Sequence, residues 1–494
     1  MNKRAFIFYI SLFALILVFS VSANCFDFDL WARLIAGMGF VEGGHVLKTD
    51  FLSYTPVHTW FDHEWGSGVI FYLFLKFFGP FSLIILQAFL LFGIFFIASK
   101  VIKLRNDNPY NILFYFFALI ASLNTLNIPV RCHMFSFLLF TLFIYLLELV
   151  RRGKTKLLYL FPLIIIFWNN VHGGVVAGLG LLGMYAVGEF LNKKPFKKYL
   201  ITLAVCCLVL LINPWGFDYI KFLIMANTMP RTYVIEWWGL FSHYHLFKHL
   251  QFKFFMLITI LVETFTVKRP LKEWYNKADK VKYIVLLSTL YLAISHVKLL
   301  PFFVIASLCF VYEDFNKLIS KIRIPFDKII YIFIALLTVF TFGTKDISLP
   351  VGFGYFPVEE VEFIKVNNLK GNILADFGDG SYVSYKLYPN NKIFMDGRYE
   401  EVYYDYMVPM LKEFFLAYPH YKEILTYFPP DIIIQKRSYP IFDVLKKSDD
   451  WDLVFESKFY GVFLPKGKSH REFVQPSDDL DYYKNTLFNT DIKF

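Results

Sequence analysis

About eleven long apolar runs, separated by short basic clusters, constrain this chain more than any other feature of its sequence. A helix that crosses a bilayer needs about 20 apolar residues, fewer inside a bundle. Runs of that order lie at 5–23, 80–100, 109–127, 133–150, 154–169, 171–191, 197–213, 253–267, 281–297, 299–314 and 327–343. Charged residues make up 18% of the 494, against about a quarter in soluble proteins. The expected fold is therefore a membrane α-helical bundle of about 11 transmembrane helices. Residues 3–23 also have the outline of a signal peptide, with Lys3 and Arg4 before the run and "VSA" after it. The many runs that follow favour an uncleaved first span.

Charge sets the expected topology. The segment 66–78, "GSGVIFYLFLKFF", is apolar but short. If it lies in the interface without crossing, one side of the membrane collects about 23 Lys and Arg and the other about seven, as the positive-inside rule requires. If it crosses, that bias inverts. The N-terminus is then cytoplasmic, and three stretches face outward: 24–79, 214–252 and the tail. Residues 344–494 carry 18 basic and 23 acidic residues, a net of −5, against +15 for the rest. Basic charge dispersed among loops in this way argues against a nucleic-acid surface, which gathers it on one face.

Two domains are expected. Residues 1–343 form the polytopic part with its outward loops, and 344–494 form a soluble α/β extracytoplasmic domain. In the tail, the β-prone runs "NILAD", "NKIFMD", "DIIIQ" and "WDLVFE" alternate with a helical stretch at 402–427. About 150 residues suffice for a domain with its own core. The cysteines show no CxxC spacing and no pairing pattern.

The unusual polar residues fall on the outward side. The first loop holds Asp27, Asp29, Arg33, Asp50, Asp62, His63 and Glu64. Later turns add Arg131 in "NIPVRCHM", His172 in "FWNNVHGG", Arg231 and Glu236 in "RTYVIEWWG" and Lys298 in "SHVKLLP". Polar groups at membrane depth usually line a cavity and mark function. Trp31, Trp65, Trp168, Trp215 and Trp237 suit an interfacial aromatic belt. Asp27 and Asp29, directly beyond the first apolar run, have no such routine explanation. A carboxylate there would serve as a general base toward an acceptor hydroxyl. Arg131, Arg231, Lys298 and His172 would hold a phosphate or pyrophosphate of a donor. Asp27, Asp29 and His63 would also suit a hard divalent cation such as Mg or Mn. Zinc has less support, since no HExxH spacing occurs.

This layout resembles the GT-C superfamily of polytopic glycosyltransferases that use polyprenyl-phosphate-linked sugars. There an acidic residue just after the first span is the presumed catalytic base. The resemblance implies Asp29 or Asp27 in that role, with Asp62, His63, Glu64 and Trp65 ("DHEW") as a supporting second motif. The chain is similar, more closely, to a group of bacterial membrane proteins carrying "DxDxWWHL", "HEW", "WxNxHGG" and a tail "DGR". Here these read at 27–34, 63–65, 168–174 and 396–398. Two positions depart: Ala32 and Arg33 stand where the group has Trp and His. The tail's Asp376, Asp379, Asp396 and Arg398 fall at strand ends, where α/β domains bind ligands, although an Asp-Gly-Arg turn closed by its own salt bridge is an equal reading.

The resemblance implies transfer of a sugar from a polyprenyl-phosphate donor in the membrane lipid to a glycan, lipid or protein acceptor outside a bacterial inner membrane. A transporter of lipid-linked glycans, or a non-catalytic envelope scaffold of the same fold, are the alternatives.

Overall fold

The computed structural model describes residues 3–23, 26–105, 109–126, 130–267, 270–321, 326–344, 348–349, 351–469 and 472–494. The protein is mostly helical, with one small sheet. It divides into two compact units, one of residues 1–23 and 84–347 and the other of residues 24–83 and 348–494. The sequence suggests a cut near 343. The contacts instead count the first loop with the tail, because residues 52–61 hydrogen-bond along it.

In the first unit a helix stands on each of the apolar runs, from Lys3–Ala23 to Phe326–Thr344. Among the described residues four stretches, Lys3–Ser22, Phe81–Arg105, His133–Arg151 and Phe326–Thr344, are long and apolar enough to cross a membrane. The last of these leaves Ile332, Leu336, Val339 and Phe340 exposed, an apolar outer face suited to lipid as its solvent. Together with the apolar composition, this makes the chain a membrane protein. The stretch 214–252 is not a plain loop, since it carries the helix Phe217–Thr228 and a 3-10 turn at Ile235–Trp237. The buried acids near helix ends are neutralised locally. Glu148 receives Arg151 at 2.9 Å and Arg105 at 3.3 Å, and Arg151 also holds Glu189 at 2.7 Å and Asp279 at 2.8 Å. Such a network fastens the helices Phe81–Arg105, His133–Arg151 and Val175–Leu191 to one another.

The second unit is built on a five-stranded sheet of order β2-β1-β3-β5-β4, with β1 Gly371–Leu374, β2 Asn391–Ile393, β3 Ile432–Lys436, β4 Trp451–Glu456 and β5 Tyr460–Pro465. The first three strands are parallel, and β5 runs antiparallel to β3 and β4. The runs at 372–376, 391–396, 431–435 and 451–456 thus become strands, and β5 is the one that the sequence reading passed over. The expected helix over 402–427 is broken into Met407–Phe415 and Lys422–Tyr427, with Ala417 at a positive φ of 51° and Pro419 between them. Residues of the first loop cover the outer edge of β2: the Tyr54 N–H donates to the Ile393 carbonyl at 3.0 Å, and the Ile393 N–H to the Leu52 carbonyl at 2.9 Å. This satisfies an edge that would otherwise present unpaired backbone groups.

The helices Leu30–Gly43 and Trp65–Phe78 pack together, and Leu30–Gly43 also packs on Gly380–Leu387. Gly37 and Gly68 make the first crossing close, because a Cβ on either would collide with the other helix's backbone. Trp31 and Trp168 are fully buried rather than placed in an aromatic belt. Trp31 packs edge-on to Tyr382 at 4.9 Å and Phe356 at 5.6 Å, so it serves as core for the second unit.

Candidate functional site

In the second unit the first loop and the tail bring three ionic clusters together. The first surrounds Arg33. The helix Leu30–Gly43 presents this residue to the turn ahead of Trp65–Phe78, where its guanidinium pairs with Asp62 and reaches Glu64 at 3.5 Å. Its other arm donates to Glu401 of the tail at 2.7 Å. Glu401 also receives the Trp60 indole N–H at 3.1 Å and lies 2.9 Å from His63 Nδ1. Burial works to raise the Glu401 carboxyl, but Arg33 and His63 pull it down. Asp62 moves the other way: burial raises it, and Arg33 offsets only part of that rise. Burial would lower His63, yet the adjacent Glu401 lifts it to about 9.

Among the described residues, His63, Glu64 and Glu401 form a group whose ligand atoms lie within 4.8 Å of one another. Asp27 and Asp29 are not in it, so the expected set of Asp27, Asp29 and His63 is not what converges. The charges do not fit a divalent ion either. Arg33 already lies on both carboxylates of the group, in the position that such a cation would take. Arg33 thus serves this cluster as an internal cation.

The second cluster is sealed. Arg398 donates from Nε to both Asp396 oxygens at 2.9 and 3.0 Å, from Nη1 to Asp50 at 2.6 Å and from Nη2 to the Tyr403 hydroxyl at 3.1 Å. Trp60 covers the guanidinium at 4.5 Å. Asp50 further accepts from the backbone N–H groups of Leu52 and Ser53. Asp396 and Arg398 pair with each other across this turn, and both are buried and engaged with protein groups.

The third cluster stands at the carboxyl ends of β1 and β3. Lys436 ends β3 and donates to Asp376 at 2.8 Å, with Asp379 at 3.3 Å. The Tyr439 hydroxyl donates to Asp376 at 3.1 Å and that of Tyr460 to Asp379 at 3.3 Å. Burial lifts Asp379 to about 7 against the pull of Lys436. The chain leaves β1 for β2 on one side and returns to β3 on the other, so this is the switch point at which α/β sheets hold ligands. The first loop occupies it: Phe28 lies against Gly378, stacks on Tyr355 at 4.8 Å and has Lys436 5.9 Å from its ring centre.

The two leading acids differ in what they do. Asp27 is buried, and its Oδ1 accepts the Asp29 N–H at 3.0 Å, closing the turn. Asp29 is only half-buried and caps the N-terminus of Leu30–Gly43 through its backbone carbonyl, not its side chain. Trp65 lies tilted against Phe40, with ring centres 5.1 Å apart, as part of the helix packing.

In the first unit the expected phosphate ligands are partly assembled. Glu236 bridges Arg131 at 2.9 Å and Lys298 at 2.7 Å. Burial would raise its carboxyl, but the two cations hold it well below the usual range. Arg231 lies over the Trp237 ring at 4.3 Å and Lys298 over the same ring at 5.4 Å. Arg231, Trp237, Trp238 and His296 line a cavity of about 570 Å³. His172 stands apart from them in its bonding. Its Nδ1 accepts from the Gly174 N–H at 2.9 Å and lies 2.7 Å from Ser136 Oγ, which fixes the turn between two helices.

Sequence reasoning missed Glu401, Tyr403, Lys436 and Tyr439. Glu401 directly follows the "DGRYE" stretch and Lys436 the apolar run "DIIIQ", but neither position marks the ion pairs it makes.

No protein-family model matches the chain, and no curated protein matches it in sequence. Solved structures do. The chain is similar to the oligosaccharyltransferase of Archaeoglobus fulgidus in its apo form, with TM-score 0.57 and 8% identity over 87% of this chain and 69% of that one. The same enzyme tethered to an acceptor peptide gives TM-score 0.55 over the same shares at the same identity. That archaeal enzyme, AglB, in complex with an inhibitory peptide and a dolichol-phosphate gives 0.50 at 8% identity, over 99% of this chain and 78% of that one. The chain therefore shares the fold of that archaeal oligosaccharyltransferase.

Proposed function

We propose that this protein is an integral membrane glycosyltransferase. It moves a sugar from a polyprenyl-phosphate-linked donor to a cell-envelope acceptor on the extracytoplasmic side of a bacterial inner membrane. The observation that carries the reading is Asp29. It is a half-buried carboxylate just beyond the first apolar helix, in a chain whose fold matches an oligosaccharyltransferase that binds dolichol-phosphate. In this reading Asp29 takes the proton of the acceptor hydroxyl as that oxygen attacks the sugar's anomeric carbon. Asp27 holds the turn that presents it. Arg131, Arg231 and Lys298 bind the phosphate of the donor, which leaves with the bonding electrons. The Arg33 and Arg398 clusters are framework.

Replacing Asp29 with Asn keeps size and hydrogen bonding but removes the base. Loss of about 10²-fold or more in transfer, with unchanged expression and melting temperature, is expected. Asp27→Asn should lose activity together with stability. Full transfer by the Asp29→Asn variant would refute the assignment.

A further inference from the structure

We propose that the Asp396-Gly397-Arg398 turn of the tail is the seat of the Asp29 carboxylate, with Gly397 as a positioning residue. The inference rests on Asp29 being the base for its catalytic consequence, though not for the seat itself. A Cβ placed on Gly397 would stand 2.6 Å from Asp29 Oδ1, and Ser381 Oγ lies 3.9 Å from the same point. Gly397 is not among the residues with positive φ, so its backbone does not demand glycine. What a side chain there would meet first is the acid. Ser381 is fully buried, and its Oγ has no hydrogen-bond partner. Its hydroxyl borders the space that Gly397 leaves open, without bonding to the acid. Ser381 also lies in the first turn of the helix Gly380–Leu387, whose N-terminal end favours negative charge.

The surroundings show why the turn can hold its shape. Arg398 and Asp50 are sealed against each other at 2.6 Å, and the Arg398 N–H donates to Asp396 at 3.1 Å. The Asp-Gly-Arg motif then reads as one device. Its charged ends lock the turn into the unit, and its central glycine leaves room for a carboxylate brought by the first loop. The tail thereby sets where the proposed base points, instead of binding a diffusible ligand of its own.

The test uses the full chain in detergent micelles or nanodiscs. Gly397→Ala should lower the melting temperature by several degrees in the wild-type background and leave it unchanged in the Asp29→Ala background, because the obstructing carboxylate is gone. An equal fall in both backgrounds overturns the seat. In transfer assays Gly397→Ala should lower kcat about tenfold or more with the KM for donor unchanged. Coupled stability with an unaltered kcat would keep the seat and refute Asp29 as base, so the two readings fail separately. Should Gly397→Ala not fold, adding Asp29→Ala should restore folding, and a double variant that also fails to fold overturns the seat.

Discussion

Arg398 in the second unit and the Arg131–Lys298 pair in the first have the same partner chemistry and opposite settings. Arg398 and Asp50 are each 0% exposed, and an aromatic ring covers the guanidinium. Glu236 and Lys298 are 30% and 27% exposed, beside a ring that lines a cavity. A sealed cation cannot exchange its carboxylate for an outside anion without unfolding its surroundings, whereas a half-exposed one can. The difference separates cations locked into the fold from cations that an outside anion can reach, although the sequence presents all of them alike as Arg or Lys in a polar turn.

The comparison breaks most visibly at Arg398. Replacing it with Ala leaves Asp50 and Asp396 buried without their cation, a cost of about 3–5 kcal/mol. The second unit should lose its cooperative melting transition, measured by calorimetry of the purified chain. Arg398→Lys should not rescue it, because three donors on one nitrogen cannot serve Asp396, Asp50 and Tyr403 in the fork geometry. A variant that melts like the wild type would show that the cluster is not framework.

A smaller effect attaches to the Arg33 cluster. His63 is held up to about 9 by Glu401 and is mostly buried. A group raised in the folded state stabilises fully below its unfolded value, near 6.5, and that contribution is lost as pH rises through about 9. The stability of the second unit should therefore fall over this window, by about 3 kcal/mol at most, and its melting temperature should fall with it. His63→Gln should flatten the profile there and, because His63 also holds the Glu401 carboxyl down, cut the stability on the acid side as well. A wild-type profile that is flat between pH 6.5 and 9 would remove His63 from the ionic core.

The contrast between the two settings also explains what the sequence could reveal. The membrane class and the helix positions were legible because apolar length is a local property, written residue by residue. Four of the tail's strands were legible for the same reason, while β5, with "YGVFLP" ending in a turn of Pro and Lys, gave a weaker run. The first-loop acids were legible because charge beside an apolar run is conspicuous. Glu401 was not, since its role depends on Arg33, which lies 368 residues earlier. Asp27 and Asp29 looked equivalent until the backbone placed one carboxylate on the other's N–H. Whether an Arg is sealed or open is a matter of tertiary burial, which no local pattern encodes.

Lys298 sharpens the comparison at its mildest end. Its link to Glu236 is partly solvated, and pairs of that kind contribute about 0–1 kcal/mol to stability, so Lys298→Gln should melt within a degree or two of wild type. Binding should respond more. A charge-assisted contact to a phosphate oxygen adds about 1.5–3 kcal/mol, so affinity for a short prenyl diphosphate should fall about tenfold or more, measured by titration calorimetry in detergent. Glu236→Gln works in the opposite direction. Arg131 and Lys298 keep its carboxyl well below the ordinary range, so it is ionised at every working pH and competes with an incoming anion for both cations. Neutralising it should tighten binding of the diphosphate and steepen its salt dependence. If Lys298→Gln lost stability as Arg398→Ala does while binding stayed intact, this cation too would belong to the framework, and the donor phosphate would have to be sought at Arg231 and the cavity it lines.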